Sequence, residues 1–309
     1  MLCYDVIGDI HGQAEKLKAL LRKLGYREGA TWRPPAGHQA VFLGDLIDRG
    51  PAQLEAVNIV RRMRDAGDAL CVMGNHEFNA IGYATPRPDE PGEYLRRHNS
   101  KNMAQHREFL AQAVEGSALY LDLLDWFKTL PPYLDLVVIR VVHAWWNQAY
   151  VDLVSREFWN GEHMDRAFLY ASYDKGSPQW AAMEGLVKGL ETPLPDQASF
   201  LDHDGFKRHK VRTRWWLKAP ATYRDIAIVD QRDLAGIPAS PVPPGTLPER
   251  AHGAPIFIGH YWMRGFPSPQ AADVACVDYS AAADGPLVAY RWQGETTLTD
   301  SHFVLSTQT

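Results

Sequence analysis

The sequence predicts an α/β fold built on parallel strands, and two observations carry that prediction. The first eighty residues alternate short apolar runs with segments of helical periodicity. Each apolar run also ends in a glycine followed by a polar residue: Gly8-Asp9, Gly44-Asp45 and Gly74-Asn75. In open α/β sheets the carboxyl ends of the strands are where ligands bind.

Residues 4–8 form the first apolar run and read as a buried strand. Leu17, Leu20, Leu21 and Leu24 follow at three- and four-residue spacing, one face of a helix that Gly25 stops. Residues 39–43 give the next strand, Pro51 opens a helix that ends near Gly67, and residues 69–73 give the third strand. A β-α-β-α-β run implies parallel strands joined by right-handed crossovers. Two later runs repeat the pattern, 137–142 leading into His143 and 255–258 leading into Gly259-His260. Residues 77–130 read as mostly helical, with a Pro/Gly-rich interruption at 85–92. Residues 147–250 are Trp-rich and weakly periodic, and read as an insertion forming a cap or side wall within one domain spanning 1–309. Three further strand candidates, 273–277, 287–291 and 302–305, could complete a second sheet.

Composition bounds the function. Of 309 residues, 46% are hydrophobic and 22% charged, which is globular, and the net charge of −5 offers no bulk attraction for nucleic acid or an anionic membrane. Phosphate affinity must therefore come from a local site. No apolar run reaches membrane-spanning length, and the first ten residues are too short and acidic for a signal peptide, so a cytoplasmic protein is expected. Cys3, Cys71 and Cys276 are far apart without a CxxC and read as buried reduced thiols.

The polar residues at the strand ends make a metal-binding set. Asp9 and His11 flank one residue in an extended stretch, so both side chains can point the same way. Carboxylate and imidazole together suit Mn, Fe or Zn better than Ca or Mg. Asp45 can bridge two cations, Asn75 offers an amide oxygen, and His143 and His260 offer imidazoles. The expected division is Asp9, His11 and Asp45 on one metal, and Asp45, Asn75, His143 and His260 on the other. Such a pair generates a bridging hydroxide and clamps phosphoryl oxygens for in-line attack. Arg49 has the planar fork for phosphate. His76 is placed to protonate a leaving oxygen, with Asp48 to orient it.

The blocks GDIHG (8–12), GDLIDRG (44–50) and GNHE (74–77) resemble the signature blocks of the phosphoprotein-phosphatase family of calcineurin-like metallophosphoesterases, bacterial type. The resemblance covers about the first 80 residues and reaches the two later histidines through short context. It implies a four-layer αββα sandwich, two divalent metal ions (Mn first, Fe or Zn as alternatives) and direct hydrolysis. It supports the same six ligands, the Asp48–His76 pair and Arg49 as a phosphate clamp. The fourth and fifth blocks depart from the pattern, reading His143-Ala144-Trp145-Trp146 and Gly259-His260-Tyr261-Trp262. Asn75 and Tyr261 are expected to touch substrate, and Arg214, ahead of Arg212, is the candidate for the second substrate arginine that the family would need.

Other features read more plainly. Glu77 reads as a helix cap or brace, and His98 and His106 as a solvated helical face. The tryptophan pairs 145–146 and 215–216 read as packing, with an aromatic wall for a nucleobase as the alternative. Asp278 ends a strand in a context similar to bacterial diadenosine tetraphosphatases and is a further candidate. The expected function is phosphomonoester hydrolysis, with phosphoserine or phosphothreonine proteins as the target. Symmetrical dinucleoside polyphosphate hydrolysis is the alternative, and an inactive phospho-ligand binding protein the reading from another class.

Overall fold

Strands that are apolar on both faces need cover on both sides, and this chain supplies it by stacking two sheets and flanking them with helices. A computed structural model describes residues 2–201, 205–219, 221–249 and 253–306. The strands of the two sheets are β1 (Cys3–Ile7), β2 (His38–Phe42), β3 (Ala69–Cys71), β4 (Tyr133–Asp135), β5 (Arg140–Val142), β6 (Ile256–Ile258), β7 (Val274–Cys276), β8 (Val288–Trp292) and β9 (Phe303–Leu305). One five-stranded sheet runs β9-β8-β1-β2-β3, and a four-stranded sheet runs β7-β6-β5-β4.

Side-chain alternation explains the layering. Tyr4, Val6, Val41 and Leu43 from the first sheet meet Val141, Phe257, Ala275 and Val277 from the second in one apolar cluster. Their sequence neighbours Ile7, Phe42, Val142, Ile258 and Cys276 point the other way, into a larger cluster shared with the helices. The helices are α1 (Ala14–Lys23), α2 (Gln53–Asp65), α3 (Asn75–Ala84), α4 (Ser100–Gln112), α5 (Ala118–Phe127), α6 (Gln148–Glu157), α7 (Arg166–Ala171), α8 (Pro178–Lys188) and the single turn α9 (Tyr223–Ile226). The expected αββα arrangement is thus present, with β1, β2 and β3 parallel as the alternating pattern required.

The structure corrects the expected strands in two places. The tail strands do not all join the second sheet: β7 does, but β8 and β9 extend the first sheet, β8 antiparallel to β1 and β9 antiparallel to β8. Asp5 and Arg291 face each other in that pairing, and the guanidinium grips the fully buried carboxylate at 2.7 and 3.1 Å. The strand expected over 137–142 begins later, because Val137 turns with φ 68° between β4 and its antiparallel partner β5. The stretch 147–250 divides in two. Val151, Val154, Met183, Leu186 and Val187 of α6 and α8 belong to the large core, whereas Leu194, Val211, Tyr223, Ile226 and Ile237 form a small cluster of their own. Cys71 and Cys276 are buried free thiols, but Cys3, at the start of β1, is only partly covered. Among the described residues no helix is long and apolar enough to cross a membrane.

Candidate metal centre

The loops that leave β1, β2, β3, β5 and β6 converge, and each brings one or two candidate ligands. Close approach of backbones makes this possible. A side chain at Gly44 (φ 84°) would lie 2.2 Å from the Gly74 nitrogen, so only glycine lets the β2 and β3 loops touch there. Glu77 binds the same two loops together: its carboxylate accepts from the backbone N–H of Asp45 (2.8 Å), Leu46 (2.8 Å) and Gly74 (3.0 Å). Glu77 is therefore a brace inside the fold.

The ligand loops are conformationally unusual. His11, Asp45, Asp48, Arg49, His260 and Trp262 all have φ between 47° and 74°. Side chains other than glycine avoid this region, at a cost of order 1–3 kcal/mol each, and such residues gather where function demands a particular geometry.

Asp45 is the hub. Its Oδ2 lies 3.5 Å from His11 Nε2, 3.4 Å from His143 Nε2 and 3.8 Å from His76 Nε2, while Oδ1 accepts from the His76 backbone N–H at 2.9 Å. Two groups of potential ligands result, His11-Asp45-His76 and Asp45-His143-His260, all buried and sharing Asp45. Asn75 Oδ1 completes the second group, 3.2 Å from His143 Nε2 and 2.8 Å from His260 Nδ1.

The proton positions favour a cation. His11 Nδ1 lies 2.9 Å from the Ile47 carbonyl and His143 Nδ1 lies 2.6 Å from the Leu43 carbonyl. A carbonyl only accepts, so each Nδ1 carries the hydrogen and each Nε2 of a neutral ring presents a lone pair. Those lone pairs face the Asp45 carboxylate and the Asn75 oxygen. Acceptors facing acceptors in a buried space are what a divalent ion would satisfy. Asp9 Oδ1, His11 Nε2 and His260 Nε2 are likewise buried with no hydrogen-bond partner among the described residues. Asp9 reaches the centre from the β1 side, its Oδ2 accepting from the His260 backbone N–H at 3.0 Å.

Protons can stand in for that ion. Burial, then the Asp278 and Asp45 carboxylates, hold the Asp9 carboxyl well above its usual range. Burial alone would lower His143, but the Asp45 and Asp9 carboxylates outweigh it and push the ring up to about 10. A cluster of acids this dry needs positive charge, which a proton or metal ions can provide.

Beside the hub stands the Asp48–His76 pair. His76 Nδ1 is 2.5 Å from Asp48 Oδ2, and both side chains are buried. Burial alone would lower His76, but the Asp45 and Asp48 carboxylates raise it above its ordinary value. Arg49 is exposed at the mouth, its guanidinium over the ring of Trp262.

Two expected substrate contacts fall elsewhere. Tyr261 is buried: its hydroxyl accepts from Trp215 Nε1 (3.1 Å) and donates to the Ala144 carbonyl (3.2 Å), tying the two histidine loops together from behind. Arg214 is exposed and its charge acts on Asp225 within α9. It is Arg212 whose charge, after burial, holds His260 well below its ordinary value. The tryptophan pairs are core: Trp145, Trp146, Trp215 and Trp216 are all buried. His98 is clasped between Tyr83 and Tyr94, at 3.7 and 4.0 Å between ring centroids, and His106 is buried against Asp48. Neither is a solvated face. His106 shares a helical stripe with Phe109 and Ala113, the signal that could have placed it inside. Asp278 is also buried, accepting from the backbone N–H of Trp262 (2.7 Å) and Ser280 (3.0 Å).

Comparison with known proteins agrees with this geometry. The calcineurin-like phosphoesterase family model matches residues 4–187. The asymmetrical bis(5'-nucleosyl)-tetraphosphatase PrpE of Oceanobacillus iheyensis is 40% identical over 141 residues, 45% of this chain and 54% of that protein. The chain thus spans about half the length of that relative. A symmetrical bis(5'-nucleosyl)-tetraphosphatase of Chromobacterium violaceum is 25% identical over 296 residues, 92% of this chain and 90% of its own. Among solved structures, a protein serine/threonine phosphatase of Saccharomyces cerevisiae shares the fold with a TM-score of 0.51 at 16% identity, covering 98% of this chain and 78% of that one. With a family match over more than half its length, the chain belongs to the calcineurin-like phosphoesterases.

Proposed function

We propose that the chain is a two-metal phosphohydrolase acting on a phosphoester or phosphoanhydride. The observation that carries this reading is Asp45 shared between two buried ligand groups whose histidine lone pairs face it. Asp9, His11 and Asp45 would hold one divalent cation and Asp45, Asn75, His143 and His260 the other, with Mn the first candidate and Fe or Zn the alternatives. When bound, such a pair supplies charge stabilisation for the phosphoryl group and acidifies water.

The chain's own groups have separate tasks. Arg49 offers its fork to phosphate oxygens at the mouth, and Arg212 replaces Arg214 as the second arginine. His76, kept protonated by Asp45 and Asp48, donates from Nε2 to the departing oxygen. Asp48 holds the opposite ring nitrogen. Burial of His76 and Asp48 strengthens the interaction between them.

Among substrates, dinucleoside polyphosphates have the stronger support, because the relative aligned over 92% of this chain is named a symmetrical tetraphosphatase. Phosphomonoesters, including phosphoproteins, remain the second reading, favoured by the Asp48-Arg49 pair of the GDLIDRG block. The deciding experiment is a panel with Mn added, setting diadenosine tetraphosphate against a phosphopeptide. Release of ADP alone from the dinucleotide marks symmetrical cleavage, and ATP with AMP marks asymmetrical cleavage. Binding of metals without hydrolysis of any phosphoester would overturn the enzyme reading in favour of a phospho-ligand binding protein.

A further inference from the structure

Asp48 does not serve His76 alone. His106, in the middle of α4, donates from Nδ1 to Asp48 Oδ1 over 2.8 Å, while His76 Nδ1 occupies Oδ2 at 2.5 Å. The exposures of His106, Asp48 and His76 are 5%, 2% and 3%, so water does not compete for these bonds. The His106 ring is itself fixed, packed 5.0 Å from Phe109 and 5.2 Å from Tyr83 between centroids. One carboxylate therefore carries an imidazole on each oxygen, one from the catalytic loop and one from a helix that contributes no proposed ligand.

The terminal torsion of an aspartate is soft and nearly two-fold, so one partner at one oxygen leaves the carboxylate plane free to swing. A second partner at the other oxygen removes that freedom. We infer that His106 is a positioning residue, which holds the Asp48 carboxylate so that His76 Nε2 faces the reacting phosphoryl group in a single orientation. The inference rests on the phosphohydrolase reading, in which His76 protonates the leaving oxygen. Gln105 of the same helix lies beside the ring, its Nε2 3.4 Å from His76 Nε2 and its Oε1 accepting from Arg96 at 2.8 Å.

The test separates proton delivery from folding through the leaving group. Asparagine places an N–H where the His106 Nδ1 stands, whereas glutamine places its amide near Nε2 and leaves Asp48 Oδ1 unpaired. With Mn present, turnover is measured on phenyl phosphate, whose leaving oxygen needs a proton, and on dinitrophenyl phosphate, whose leaving oxygen does not. His106→Gln is expected to lose about tenfold or more on the first and less than about threefold on the second, while His106→Asn stays within about threefold of wild type on both. Metal content and melting temperature are followed in parallel. If His106→Gln does not fold, His106→Phe keeps the ring packing without the donor and is expected to show the same split. Equal losses on both substrates, or equal behaviour of the Asn and Gln variants, would overturn the positioning role while leaving the enzyme reading intact. A wild-type protein inactive on both substrates would overturn the two readings together.

Discussion

The guanidinium carbon of Arg49 lies 4.4 Å from the centre of the Trp262 ring. The two residues come from distant loops, one after β2 and one after β6, and both have left-handed backbone conformations. Asp278 fastens the second loop by accepting the Trp262 N–H at 2.7 Å. Stacking engages the face of a guanidinium and leaves its N–H edge available, the edge that a phosphate uses. Trp262 thus presents Arg49, and Asp278 holds Trp262.

Removing the ring should weaken substrate binding more than chemistry. Trp262→Leu is expected to raise KM roughly fivefold, the equivalent of about 1 kcal/mol of cation–π attraction, with a smaller change in kcat. Trp262→Phe should fall between. The check is a double-mutant cycle: in an Arg49→Ala background the Trp262 effect should vanish, and additive losses would show that the ring acts independently.

Asp45 faces both ligand groups, so its removal should not be confined to one of them. Asp45→Ala is expected to lose metal at both positions, as measured by elemental analysis after gel filtration in Mn. Normal stoichiometry in the folded variant would contradict the bridging role.

His76 has a different expected signature. It is held by Asp48 and lies beside the hub without being needed for either proposed ligand set. His76→Ala should lower turnover by about a hundredfold or more, the scale of a general acid, and keep both metals. Full activity would sink the acid role, and lost metal would instead make His76 a ligand.

Much of this centre was legible because its chemistry is local in sequence. Gly8-Asp9, Gly44-Asp45 and Gly74-Asn75 each announce a strand end and a ligand within two residues. What was not legible depends on pairing over long distances. Nothing near Val288 signals that its strand lies antiparallel to β1, since the contact that fixes it, Asp5 with Arg291, spans 286 residues. His106 looked solvated because its partner is 58 residues away, and Arg212 and Arg214 differ only in which neighbours the fold supplies. Tyr261 misled for the opposite reason: adjacency to His260 in sequence put it behind the site, not in it.

Glu77 offers a stability prediction. Its two oxygens accept three backbone N–H groups, two on Oε2 and one on Oε1, in a fully buried position. Glu77→Gln would set an NH2 group against at least one of those donors. The expected loss is about 2–4 kcal/mol, the cost of a buried donor left without an acceptor plus part of a charged hydrogen bond. Chemical denaturation with added Mn and without it measures this. A change under about 0.5 kcal/mol would show that the two loops are held by something else.

Gly259 gives the sharpest test of Asp9. A Cβ at this position would lie 2.1 Å from Asp9 Oδ1 and 3.2 Å from its Cγ, too close for both atoms to keep their places. The carboxylate is the part that can move, because Oδ1 has no hydrogen-bond partner among the described residues and only Oδ2 is held, by the His260 N–H. Gly259→Ala should therefore fold with a moderate penalty, about 1–3 kcal/mol as for other overpacked sites. It should also lose affinity selectively for the cation that Asp9 and His11 would hold, while the Asn75, His143 and His260 side retains its own. Mn titration by calorimetry resolves the two events. If both sites keep wild-type affinity in the folded variant, Asp9 is not a ligand and its unpaired oxygen needs another explanation.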